Sequence, residues 1–110
     1  KMNKNIVITR SDSNGKCIAF EFELYGATFT CRKKNDKEWI LVQLTPFKDS
    51  TFQMPMIIFA IPKEYTNIDK VYKSAMYNIM MYANDTLAVY IDVVDILKDK
   101  LGFDNAEVTA

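Results

Sequence analysis

From Cys17 to Tyr25 the chain alternates with period two. Ile18, Phe20, Phe22 and Leu24 share one parity, and Ala19, Glu21 and Glu23 the other. Successive side chains of a strand point to opposite faces, so this segment predicts a strand with one buried face. Such a strand needs neighbours whose apolar rows coincide with its own. Asn5 to Arg10 predicts a first strand, and Ser11 to Gly15 a turn in which Asn14-Gly15 is a strong hairpin signal. Gly26-Ala27 fits a two-residue loop between Tyr25 and Thr28. On that register Leu24 faces Phe29, Phe22 faces Cys31 and Glu21 faces Arg32. Asn35-Asp36 fits a second two-residue loop, which sets Cys31 opposite Ile40 and Phe29 opposite Val42. Both loops give one common apolar face, the pattern of an antiparallel meander.

The second half changes period. Residues 46–53 predict a loop. Met54 to Ile61 is apolar on both parities, which predicts a strand buried on both faces. Thr66 is placed as a helix N-cap with Asp69 three residues on. The helix is expected from Asn67 to about Ala83, with Ile68, Val71, Tyr72, Ala75, Ile79 and Ala83 in one stripe, ended by Asn84-Asp85. Thr86 to Ile91 predicts a short strand. Asp92 then caps a last helix, with Gly102 just past its end and a frayed tail over 103–110. The fold class expected is α+β in two layers over one domain, 1–110. An antiparallel meander of four to five strands packs on a long helix, followed by the short strand and the C-terminal helix.

Composition narrows the chemistry. The 110 residues include no histidine, which removes the usual general base and the commonest metal ligand. Two cysteines fall short of a zinc site. The register places Cys17 and Cys31 on opposite faces, where no disulfide can join them. Reduced thiols predict a cytoplasmic setting. No stretch reads as a membrane span or a secretory leader, and Lys1 ahead of Met2 reads as an extra residue before a natural start. No catalytic motif, phosphate loop or cofactor signature is present, so neither enzymatic activity nor a metal or cofactor is expected. Charge is balanced at 14 basic and 14 acidic residues but split along the chain: residues 1–48 carry nine basic and five acidic, residues 49–110 the reverse.

Four features remain as contact candidates. Glu21, Arg32 and Trp39 fall in one cross-strand row on the polar sheet face, where an exposed Trp-Arg pair would anchor a protein partner; the plainer reading is a surface ladder. Met76, Tyr77, Met80, Met81 and Tyr82 cover more of the helix than one stripe needs, which predicts core packing or a homodimer or partner surface through Tyr77, Met80 and Met81. Arg32, Lys33, Lys34 and Lys37, with Phe29 and Trp39 nearby, form a basic hairpin tip. It is the basis of the alternative function, single-stranded nucleic-acid binding, although a neutral chain with two arginines makes nucleic acid the less expected partner. Asp92, Asp95 and Asp99 form an acidic stripe, ordinarily a solvated face. The Lys and Asn excess is of the kind AT-rich genomes produce. In size, neutrality and want of chemistry the chain resembles small accessory proteins of phages and mobile elements. The expected function is a non-enzymatic protein-binding module, an inhibitor or accessory protein acting by steric occlusion.

Overall fold

The computed structural model describes residues 5–51, 53–62, 67–86 and 91–102. Five strands form one antiparallel sheet in chain order: β1 (Ile6–Ser11), β2 (Cys17–Leu24), β3 (Ala27–Lys33), β4 (Glu38–Gln43) and β5 (Ile57–Ala60). Two helices follow, α1 (Ile68–Thr86) and α2 (Ile91–Leu101). The α+β class and the meander agree with the sequence. β1 and β5 are the edges of the sheet.

Helix α1 lies on one face of the sheet. Its stripe of Val71, Tyr72, Ala75, Ile79 and Ala83 is buried as the spacing predicts, joined by Met76 and Met80. Tyr72 packs edge-on against Phe22 at 5.0 Å and Phe20 at 6.4 Å. Phe22 stacks on Phe29 at 5.3 Å, and Phe29 reaches Phe47 at 5.7 Å. Ring pairs of this kind each add about 0.5–1.5 kcal/mol beyond burial alone. Helix α2 packs on α1 and sends Leu97 into the same core.

Both hairpin registers differ from the sequence expectation, with different consequences. Between β2 and β3 the loop is Tyr25-Gly26, so Leu24 pairs with Ala27 and Phe22 with Phe29. Tyr25 (φ 47°) and Gly26 (φ 82°) both take positive φ, the requirement of a type I′ turn. This slip of two residues preserves the faces. Glu21 now faces Thr30, and Arg32 faces Ala19.

Between β3 and β4 the slip is one residue, which turns every β4 side chain over. Three residues, Asn35 to Lys37, make the loop. The Lys34 amide donates to the Glu38 carbonyl at 2.9 Å, and Asn35 Oδ1 accepts from the Lys37 amide at 2.9 Å. Cys31 therefore pairs with Leu41, and Lys33 with Trp39. Trp39, Leu41 and Gln43 face the core, while Ile40 and Val42 face away. The buried Gln43 is fully engaged: its Oε1 accepts from the Met54 amide at 2.7 Å and its Nε2 donates to the Thr45 carbonyl at 2.9 Å. It ties the β4–β5 connection to the end of β4.

Smaller differences have local causes. Asn67, expected as the first helical residue, caps α1: its Oδ1 accepts from the Asp69 amide at 2.8 Å. Thr66 lies outside the described residues. Asn84-Asp85 does not end the helix, which runs to Thr86. The short strand expected over Thr86–Ile91 is absent at both ends, which are helical; residues 87–90 lie outside the described residues, as does the 103–110 tail. Asp92 sits inside α2, which starts at Ile91. The strand expected over Met54–Ile61 shortens to Ile57–Ala60 and is an edge, not a central strand, because the meander ends there. No helix among the described residues is long and apolar enough to cross a membrane.

Candidate functional site: the outer face of the sheet

The one-residue slip in β4 decides what the sheet presents to solvent. Opposite α1, the outer face carries two cross-strand rows. One runs Val7, Glu21, Thr30, Val42, and the other Ala19, Arg32, Ile40, Ile58. The β1–β3 side is mainly polar, with Glu21, Glu23, Thr28, Thr30 and Arg32, and carries one exposed aliphatic, Val7, at 63%. The β4–β5 side is aliphatic. Ile40 and Ile58 are directly paired, Leu44 follows Val42 by alternation, and Met56 precedes Ile58. Leu44 is 46% exposed, Met56 55% and Ile58 44%. Leu44 is held in place by its amide, which donates to the Thr28 carbonyl at 2.7 Å. A cluster of exposed aliphatics with a polar border is the composition of a contact surface rather than of a solvated face.

The residues singled out from sequence are divided by this geometry. Glu21 and Arg32 lie on the outer face as expected, but as diagonal neighbours rather than opposite each other. Trp39 does not join them. It is 4% exposed, with its ring 5.8 Å from that of Phe20. The three-residue loop turns it inward, so it packs the core and cannot serve as an exposed anchor. On α1, Met80 is buried at 6% and also belongs to the core, whereas Tyr77 and Met81 are exposed. These two stand on the helix flank, away from the sheet's outer face.

The basic tip has lost its aromatic companions. Phe29 and Trp39 are both buried. Lys33 Nζ sits 3.5 Å from Asp36 Oδ1, and Lys34 Nζ 3.6 Å from Glu38 Oε1; Lys37 is exposed. The Asn35 amide and the Lys34 ammonium hold the Glu38 carboxyl below its ordinary range. Nothing here offers bases a stacking platform. Asp95 and Asp99 on α2 are exposed.

The thiols are both free. Cys31 lies in the core, where burial first and the nearby Cys17 second push its pKa far above the ordinary thiol range. Cys17 packs against the rim of that core rather than standing on the far face, and burial raises its pKa too. Neither environment produces the low-pKa thiolate of a reactive cysteine. Among the described residues no three His, Cys, Asp or Glu side chains group as metal ligands.

Nothing in the residue pattern marks Leu44, Met56 and Ile58 directly as surface. The available signal was the apolar doubling of both β4 and β5, one parity of which exceeds what a single helical layer can cover. Comparison of the chain with protein-family models, with curated proteins and with solved structures gave no match.

Proposed function

We propose that this chain is a small non-enzymatic binding protein that occludes a partner protein through the outer face of its sheet. The observation that carries the reading is the aliphatic patch of Ile40, Val42, Leu44, Met56 and Ile58, bordered by Arg32 and Glu21 on a face that no described helix covers. A rigid pleated surface costs little ordering entropy on association, so exposed aliphatics on it contribute efficiently to affinity. The polar border supplies register and selectivity. The reading is in keeping with a cytoplasmic accessory or inhibitor protein that works by covering a surface.

The test is paired capture from the source organism's lysate with wild-type protein and with a Leu44→Glu/Met56→Glu double variant. Both side chains are exposed, so the variant keeps its fold, checked by circular dichroism. The reading predicts a protein retained at stoichiometric level by wild type and lost by the variant. Equal retention by both, or retention of nucleic acid in place of protein, overturns it.

A further inference from the structure

The aliphatic strip of the outer face has the dimensions of one helix. From Ile40 to Leu44 it runs about 14 Å along the strand, and its two strands make it about 10 Å wide. A helix with its side chains is about 10–12 Å across, and about nine residues cover that length. The strip is bordered on one side by Thr28, Thr30 and Arg32 of β3 and on the other by the edge of the sheet. A partner sheet would have to spread over the polar half and take Glu21 out of water. Neither Glu21 nor Arg32 has an ion pair among the described residues. The same two charges oppose a second copy of the chain. A two-fold along β3 that stacks the whole sheet on its copy sets Arg32 against Arg32. A two-fold across the strands lays the middle row on itself and sets Glu21 against Glu21. A two-fold confined to the strip overlaps two strands and leaves Arg32 of each copy past the other's edge, without an opposite charge.

The two ends of the strip differ in charge. Around the Ile40–Ile58 end, Lys33 and Lys34 are offset by Asp36 and Glu38, which leaves the cations of Arg32 and Lys37. Around the Leu44 end, Glu23 and Asp49 outweigh Lys48, whose amide donates to the Tyr25 carbonyl at 2.9 Å. We infer that the strip seats one amphipathic helix of the partner, laid along β4 with a carboxylate-bearing C-terminal end over Arg32. This deepens the protein-binding reading and rests on it. The C-terminal end of a helix carries partial negative charge, so its dipole and its acidic side chains favour the same direction. Apolar side chains at i, i+3, i+4 and i+7 meet Ile40, Ile58, Val42 and Leu44. On the opposite face of the sheet, α1 packs in the same manner through Val71, Tyr72, Ala75 and Ile79.

The test titrates labelled protein, at up to millimolar peptide, with a capped Ala-based peptide of about fifteen residues, long enough to be helical. It carries Leu at those spacings and Glu in its last turn. Amide shifts are expected at Ile40, Val42, Leu44 and Ile58, together with a rise in peptide helicity. A peptide with Lys in the last turn should bind about tenfold more weakly, and Arg32→Glu, at an exposed position, should reverse that preference. Absent shifts, shifts on the α1 flank in place of the strip, or equal binding of a peptide of the same composition with Leu at alternate positions overturns the helix. So does a preference that Arg32→Glu leaves unchanged, or a dimer through the strip by sedimentation. The capture difference at Leu44 and Met56 is read independently of these peptides, so the two readings fail separately.

Discussion

Replacing Trp39 by Ala removes the largest side chain that the β3–β4 loop turns inward. Trp39 is 4% exposed and packs on Phe20. Truncating a buried aromatic of this kind costs about 3–5 kcal/mol, cavity included. Ile40, its neighbour, is half-buried on the open face, where truncation leaves no enclosed cavity. Its loss should cost about 1 kcal/mol, below the range for fully buried aliphatics. The two alanine variants should therefore differ by about 2–4 kcal/mol, a large share of the 5–15 kcal/mol that a domain has in total. Urea unfolding followed by far-ultraviolet circular dichroism reads this directly. With a slope of about 1–3 kcal/mol per molar, Trp39→Ala should lower the midpoint by more than about 1 M and Ile40→Ala by a fraction of that. Equal losses, or a larger loss for Ile40→Ala, would refute the inward Trp39 and restore the two-residue loop.

Other expectations follow from single contacts. Gln43→Leu leaves the Met54 amide and the Thr45 carbonyl without their partners, so it should destabilise by about 1–3 kcal/mol for each group left buried and speed exchange at the Met54 amide. Gly26→Ala must hold positive φ and sets a methyl 3.2 Å from Lys48 N and Cβ, whereas Gly15→Ala meets nothing within 4 Å. Both lose the freedom of glycine, but thermal unfolding should show Gly26→Ala as clearly the worse. Cys31 should resist alkylation in the native protein even at pH 9, with Cys17 reacting slowly, and both should react fast in urea. A thiol pKa raised by folding stabilises fully below the unfolded value of about 8.5, so stability should fall as pH climbs above that value. Stability that rises with pH in this window would contradict the burial of Cys31.

The sequence carried the class and the order of elements because β2 alternates cleanly and α1 keeps an uninterrupted stripe from Val71 to Ala83. It carried less of the registers. The β2–β3 slip was harmless because two residues preserve the faces. The β3–β4 slip was not, because Trp39-Ile40-Leu41-Val42 is apolar on both parities and gives no preference for either face. Only the turn decides. Asn35 bonds the Lys37 amide with one side-chain atom and Glu38 Oε1 with the other, which favours three loop residues over two. The same ambiguity hid the site. An apolar residue at every position of β5 reads as a central strand until the meander is seen to stop there, leaving Ile58 at an edge. Trp39 misled for the opposite reason: a lone tryptophan beside a basic tip suggests an anchor, yet its size suits a core that Phe20 and Tyr72 have already begun to build.

The outer face is tested most directly by placing p-benzoyl-phenylalanine at Ile58 and, as a control, at Asn14 in the exposed β1–β2 turn, then irradiating living cells of the source organism. A discrete protein adduct from position 58 and none from position 14 is the expected result. Adducts of equal yield from both positions, or none from position 58, would contradict a partner seated on that face.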